Sequence, residues 1–401
     1  MRILVVQESD WVTRGPHQQH HLMEKLSLRS HEIRVIDYEI AWKAKWKGEL
    51  CSRRQVFERV SKIYKKASVT VIRPGILKFP HLDYFSITFS HGRETERQIR
   101  EFKPNVVVGL GILNTNIAMR LAKRRNIPFV YYLIDALHTL VPFKLYQPIA
   151  RAIERKTLQG AEKVLAINEE LRNYAIRMGA KPAKTMVTRA GVDLERFNPK
   201  IHSGEIRETY GIQKGDVVLL FMGWLYSFSG LKEVALELAR TRNEYPNVKV
   251  LVVGDGDLFQ ELKAIKGKYG LEQLILAGRQ RYDKIPSFIS ASDICLLPAH
   301  DNVVMRNIVP IKMYEYLACG KPVISTRLPG IVKEFGNNTG VIYVDEPREV
   351  LKKINEICND DERITECVSR GREFVGKYSW DRVTDDFEDV LKNISHFRAD
   401  I

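Results

Sequence analysis

Apolar residues along this chain gather in short runs, separated by longer stretches in which apolar side chains return every three or four positions. The runs at 3–6, 33–36, 69–72, 106–108 and 129–134 predict strands, and the stretches between them predict helices. That alternation is the mark of a parallel α/β sheet. A second series follows at 217–221, 248–253, 274–276, 294–297 and 323–325, each run closed by Gly, Pro, Asp or Ser. The pattern has restarted, so the 401 residues predict two domains. Between the two series, 191–215 holds Pro199, Gly204 and Gly211 among several charges and reads as a linker, with the boundary near residue 200. At the far end Val383, Phe387, Val390, Leu391 and Ile394 recur at helical spacing over 380–394, and that stripe needs a surface to cover. Crossing back onto the first domain would provide one.

Composition adds that the whole chain is globular, with 44% apolar and 28% charged residues and no low-complexity tract. Residues 1–7 read as a strand running straight into Glu8 and Asp10, unlike a secretory leader. The stretch 128–143 is broken by Asp135 and His138 and falls short of the ~20 residues a spanning helix needs. Cys51, Cys295, Cys319, Cys358 and Cys367 show neither zinc nor disulfide spacing, so reduced thiols in the cytoplasm are expected. His17, His20 and His21 lack a carboxylate or cysteine at ligand spacing, and no metal is expected there. Charge is uneven: residues 1–200 carry 36 Lys and Arg against 19 Asp and Glu, whereas 201–401 carry 27 against 30. Within the basic half, 43–66 holds nine basic and two acidic residues interleaved with Trp46, Phe57 and Tyr64, next to Trp42. This mixture suits an anionic membrane surface, with a solvated helical face as the plainer alternative. No nucleic-acid module or base-reading helix accompanies the charge, which argues against a DNA- or RNA-binding protein.

Candidate chemistry lies at strand ends. After the first strand comes Arg14-Gly15-Pro16 and a helix opening near His17, a turn that brings backbone and helix amino terminus close to a phosphate or sugar. The second half repeats the device at Gly223, at Gly254-Asp255-Gly256 and at Gly278-Arg279, all at carboxyl ends of predicted parallel strands, where open α/β sheets bind ligands. Asp255-Gly256-Asp257 reads as turn chemistry rather than a metal motif. The segment SDICLLPAHDNVVMRNIVPIKMYEYLACGKPVISTRLPG predicts a buried strand, a polar loop, then a helix from about Pro310 carrying Lys312 and Glu315 and closed by Gly320. Glu315, flanked by Tyr314, Tyr316 and Leu317, is expected to be partly buried and hydrogen-bonded, and two ribose hydroxyls would suit it. In the first half YYLIDALHTL sets Asp135 and His138 just after a strand end, where His138 could orient sugar or acceptor and Asp135 could fix its tautomer. A capping Asp beside an incidental His is the plainer alternative.

That segment resembles the nucleotide-sugar signature of the retaining glycosyltransferases of family 4, and the likeness extends through AEKVLAINEELRNYAIRMGA, RAGVDLERFNP, FMGWLYSFSGLKEV, VLVVGDG and YSWDRV in the right order. The resemblance implies the α/β GT-B fold: two Rossmann-like, doubly wound domains facing a central cleft. It assigns 1–200 to the acceptor, 201–378 to the nucleotide-sugar donor, and a final helix at about 379–401 to the first domain. It implies that Glu315 holds the donor ribose, that the Gly15 loop lies over the donor phosphates and sugar, and that Gly223, Gly254 and Gly278 line the donor pocket.

Three positions depart from the family pattern. Asn307 stands where a second glutamate usually faces the sugar, while Trp224 and Ser229, ahead of Gly230, replace the usual Arg and Lys that neutralise the diphosphate. A diphosphate leaving group needs positive charge or N–H donors as the bond breaks. Lys312 is the favoured substitute, with Arg279, Arg306, Lys232 and the helix amino terminus after Gly230 as alternatives. The resemblance then implies anomer-retaining, metal-independent transfer of a hexosyl or N-acetylhexosaminyl group from a UDP- or GDP-sugar without another cofactor, while the basic first half without a spanning helix points to a glycan or lipid-linked saccharide acceptor on the inner membrane face. A GT-B sugar-nucleotide epimerase and a degenerate, non-catalytic binding protein are the competing readings.

Overall fold

The computed structural model describes every residue except 40, 41, 43–48, 80, 81, 142, 303, 359 and 397–401. Residues 43–48, with Trp46, belong to the basic, aromatic segment and lie outside the described residues. The chain divides into two compact units, Met1–Ala190 with Trp380–Ile401, and Gly191–Ser379.

The first unit is built on eight strands: β1 (Arg2–Gln7), β2 (Glu32–Ile36), β3 (Gln55–Val60), β4 (Val69–Arg73), β5 (Val106–Leu110), β6 (Phe129–Leu133), β7 (Lys163–Ala166) and β8 (Thr185–Val187). Their order across the sheet is β3-β4-β2-β1-β5-β6-β7-β8, and only the edge strand β3 is antiparallel to its neighbour. The central strands β5 and β6 are buried at every residue, as a sheet covered by helices on both faces requires. From β1 the chain winds outward through β2 to β4, then returns to β5 on the other side of β1. The order reverses between β1 and β5, and the Gly15 turn follows β1 at this point.

Helix Trp380–His396 belongs to this unit. Val383, Phe387, Leu391 and Ile394 of the stripe seen in the sequence are buried, each contributing roughly 1.5–3 kcal/mol, while Val390 is only half-buried and Trp380 is buried beside them. Trp380 stacks on His21 with ring centroids 4.3 Å apart, and Phe387 meets Tyr132 edge-on at 5.8 Å. Charges then fix the register: Lys25 pairs with Asp381 at 2.6 Å, and Glu388 takes Arg29 at 2.7 Å and His31 at 2.8 Å.

The second unit holds six parallel strands: β9 (Val217–Met222), β10 (Val248–Val253), β11 (Leu274–Gly278), β12 (Ile294–Leu297), β13 (Val323–Thr326) and β14 (Val341–Val344), ordered β11-β10-β9-β12-β13-β14. Here the order reverses between β9 and β12. The expected boundary near residue 200 is corrected to Ala190/Gly191. The reason is local pairing: the Val192 N–H donates to the Tyr378 carbonyl at 2.9 Å, and Phe197 is buried against the ring of Tyr282. What read as linker is therefore already part of the second unit.

Candidate functional site

In the second unit β9 is followed by Gly223, whose φ of +127° no side-chain-bearing residue adopts readily. The preceding Met222 N–H donates to the buried Tyr316 hydroxyl at 3.0 Å, which ties the turn to helix Ile311–Ala318. Pro310 caps that helix, so Lys312 sits in its first turn and Glu315 one turn further, on the same side. The Lys312 ammonium lies over the Phe221 ring, 4.1 Å from its centroid, and a Cβ placed on Gly223 would stand 2.9 Å from Lys312 Nζ. Glycine thus leaves the room that the ammonium uses.

Glu315 is 6% exposed and its Oε1 accepts a hydrogen bond from the Tyr282 hydroxyl at 3.1 Å. Arg196 lies over the other partner, 5.1 Å from the Tyr282 ring centroid. Burial pushes the Glu315 carboxyl up to about 7 against the lowering pull of Tyr282, Lys312 and Arg196. Burial likewise brings the Lys312 ammonium down to about 8, while Glu315 opposes the shift. Both groups therefore change charge close to neutral pH.

The remaining turns crowd around the same strand ends. Gly223 N–H donates to Val253, and Gly254 N–H to Gly278, each at 2.9 Å. A Cβ on Gly254 would fall 1.9 Å from the Gly223 oxygen, and one on Gly230 1.8 Å from the Pro298 oxygen. Gly230, at φ +72°, starts helix Leu231–Arg240. Just before it Ser229 is 4% exposed, and its Oγ has no hydrogen-bond partner among the described residues. A buried hydroxyl beside free helix N–H groups is suited to an anion. Of the substitutes for the missing cations, Arg306 is already paired with Asp301 at 2.9 Å and Lys232 with Glu261 at 2.5 Å. Arg279 is exposed at the end of β11. Lys312 makes no ion pair within the distance of a salt bridge among the described residues and stands in the turn. Asn307 closes the 3-10 turn Met305–Asn307, and its side chain lies outside the described ones. Asp255 Oδ1 accepts from the adjacent Gly256 N–H at 2.8 Å, as turn chemistry requires.

In the first unit Gly15 has φ +89°, and a Cβ there would come within 2.8 Å of the His20 ring and 2.9 Å of the His17 nitrogen. His17 N–H donates to His20 Nδ1 at 3.1 Å, which leaves Nε2 to donate to the Trp11 carbonyl at 3.1 Å. Burial holds the His20 ring neutral, bringing it down to about 3. Lys62 donates to the carbonyls of Trp11, Val12 and Arg14 and so ties down the loop. His17 and His20 shape the Gly15 turn, and among the described residues no group of three or more His, Cys, Asp or Glu side chains is placed to hold a metal ion.

Asp135 and His138 do not form the expected pair. Asp135 Oδ1 accepts from the Ala136 N–H at 2.8 Å, and burial lifts its carboxyl to about 6. His138 instead sets Nδ1 2.8 Å from Oε2 of the fully buried Glu154 and 2.9 Å from the Tyr174 hydroxyl, which itself donates to Glu154. A carboxylate only accepts, so Nδ1 carries the proton and Nε2 is left for a ligand. Glu154 escaped the sequence reading although a signal exists: on helix Gln147–Gly160 it occupies a position in the buried stripe of Ala150, Thr157 and Leu158. Tyr282 and Arg196 carried no such signal, because Tyr282 lies on a short 3-10 turn (Tyr282–Lys284) and Arg196 in a loop, neither long enough to show a period.

Two family models match in succession: one described as Glycosyltransferase Family 4 over residues 19–196, and one described as Glycosyl transferases group 1 over 203–374. The chain belongs to glycosyltransferase family 4. This family 4 chain is 27% identical over 146 residues to an uncharacterised glycosyltransferase of Methanocaldococcus jannaschii, covering 36% of the chain and 40% of that protein. It is 25% identical to D-inositol 3-phosphate glycosyltransferase of Geodermatophilus obscurus over 63% of the chain and 59% of the relative. The match to N-acetyl-alpha-D-glucosaminyl L-malate synthase of Bacillus anthracis is 23% identical, over 62% and 64%. The chain thus spans about half the length of the curated relatives it matches. Among solved structures, Anabaena HepE in complex with UDP-glucose superposes with a TM-score of 0.72 at 17% identity, covering 98% of this chain and 100% of HepE. Sucrose-phosphate synthase from Thermosynechococcus elongatus gives 0.75 at 14%, over 98% and 99%. These neighbours place both units in the GT-B fold.

Proposed function

We propose that the chain is an anomer-retaining glycosyltransferase that moves a hexosyl or N-acetylhexosaminyl group from a nucleotide-sugar to a glycan or lipid-linked saccharide, without a divalent metal. The observation that carries this reading is the placement of Lys312 and Glu315 on one helix at the Gly223 turn, where β9 and β12 diverge. The carboxylate suits a pair of ribose hydroxyls and the ammonium suits a diphosphate. Ser229 Oγ and the N–H groups after Gly230 offer further donors to charge developing on the leaving group. In this mechanism the sugar–phosphate bond breaks as the acceptor hydroxyl attacks the same face, and the departing phosphate oxygen takes its proton. Names among the relatives fit donor-dependent transfer, and the HepE complex favours a UDP-sugar over a GDP-sugar.

A membrane-borne acceptor on the cytoplasmic face draws support from the first unit. No helix among the described residues is long and apolar enough to cross a membrane. Leu145 and Ile149 are 83% and 61% exposed beside Lys144 and Arg151, and helix Leu82–Glu101 exposes Phe85 and Phe89 at 67% each. Apolar side chains flanked by cations suit an anionic interface.

The test is donor turnover by the purified chain with UDP- and GDP-sugars, in EDTA and in Mg²⁺, with the product anomer read by NMR. Metal-independent transfer with retained configuration is expected. Epimer formation without transfer would reassign the chain as an epimerase, and failure to bind any nucleotide would leave it non-catalytic.

A further inference from the structure

The first unit contains a second concave feature. A groove of about 980 Å³ runs along helix Gln147–Gly160, with His138, Lys144, Arg151, Arg155, Lys156 and Arg177 in its lining and no carboxylate. None of the five permanent cations has an ion-pair partner among the described residues. Elsewhere in the same unit surface cations do pair, as Arg97 with Glu101 at 3.0 Å and Lys184 with Glu162 at 2.9 Å. The 480 Å³ cavity of the second unit offers the sharper contrast, because its charges neutralise one another: Arg348 meets Glu346 at 2.6 Å and Arg327 meets Asp345 at 3.5 Å.

An uncompensated row of cations repels itself unless an anion resides there. The nearest helical carboxylate, Glu154, is fully buried and engaged by His138 and Tyr174, so it does not serve the groove charges. Arg151 and Arg155 are one helical turn apart and both exposed, a spacing from which two guanidinium groups can grip one phosphoryl group. The volume falls in the range of small-ligand sites, large enough for a phosphorylated saccharide.

We infer that this groove binds a phosphoryl-bearing acceptor, with the phosphoryl group on Arg151 and Arg155 and the saccharide toward His138. The inference rests on the glycosyltransferase reading and narrows its acceptor to one carrying phosphate, on a soluble sugar or on a lipid headgroup.

Calorimetric titration of the full chain with pyrophosphate and with glucose 1-phosphate tests it, with Arg151→Gln/Arg155→Gln and Lys312→Gln as the two variants. Both arginines are exposed, so the double variant should fold as the parent does, and circular dichroism checks that. Expected is binding that weakens by more than about tenfold in the double variant and persists in Lys312→Gln. Binding unchanged by the double variant, or absent from the parent with both of these probes and with anionic vesicles, overturns the site. Co-sedimentation with phosphatidylcholine vesicles containing phosphatidylglycerol separates the sources: arginine-dependent sedimentation without sugar-phosphate binding assigns the phosphoryl group to lipid. Donor turnover in the double variant keeps the two readings apart, since intact donor hydrolysis with lost phosphate binding leaves the donor assignment standing, whereas phosphate binding without any donor turnover refutes only the enzyme.

Discussion

Lys312 and Phe221 meet where β9 ends, the ammonium 4.1 Å from the ring centroid. The ring face partly replaces the water that burial removes, yet it cannot replace a counter-ion. Lys312→Gln keeps a polar group of similar length and removes the charge. Its expected effect is a fall in kcat/KM for the donor of about a hundredfold, the size usual for loss of one transition-state contact. Steady-state kinetics measures it, and an unchanged value would pass the diphosphate to another group.

Glu315 and Lys312 together predict a pH profile. Donor capture needs the Glu315 carboxylate, which forms as pH rises through about 7, and the Lys312 ammonium, which is lost above about 8. The profile of kcat/KM for the donor should be a narrow bell between those limbs. In Lys312→Arg the alkaline limb should disappear, because a guanidinium keeps its charge throughout.

Stability should follow the same carboxyl group. The folded carboxyl titrates near 7 and the unfolded one near 4.5, so the folded state holds the extra proton within that window. Stability attributable to Glu315 therefore declines as pH rises from 4.5 to 7 and stays reduced above it. Glu315→Gln, which cannot ionise, should melt higher than the parent at pH 8, by at most about 3 kcal/mol, and lose this advantage near pH 4.5. Thermal melts at both pH values decide it, while donor KM rises at either.

Gly230→Ala should destabilise the second unit by more than about 2 kcal/mol. Its φ of +72° is unfavourable to alanine, and the new Cβ would fall 1.8 Å from the Pro298 oxygen, a backbone atom with no room to yield. Urea unfolding measures the loss; a neutral result would mean that the helix start can shift.

His138 provides a test of partner assignment. Glu154→Gln should change the imidazole tautomer balance read by ¹⁵N NMR, whereas Asp135→Asn should leave it as in the parent, since Asp135 is bonded to the Ala136 amide. The opposite pattern would restore the pairing suggested by their adjacency in the chain.

Much of this architecture was legible before any coordinates. Strand runs and helical stripes set the two parallel sheets, because hydrophobic periodicity acts locally and each run is long enough to declare its period. The glycine turns at 15, 223, 254 and 278, and the spacing of Lys312 and Glu315 on a capped helix, were equally local. Short strands such as β7 and β8 were hidden from periodicity alone, being only a few residues long.

What the amino-acid order alone determined was the fold class and the set of residues able to carry the chemistry. Which of them meet was decided by tertiary structure. Glu154 rather than Asp135 reaches His138, Arg306 and Lys232 are spent on carboxylates while Lys312 is left over the Phe221 ring, and residues past 190 pair with Ser379 instead of linking two units. Each outcome depends on distances between groups far apart in sequence, and ion pairs and hydrogen bonds fall off within a few ångströms, so no local pattern contains them.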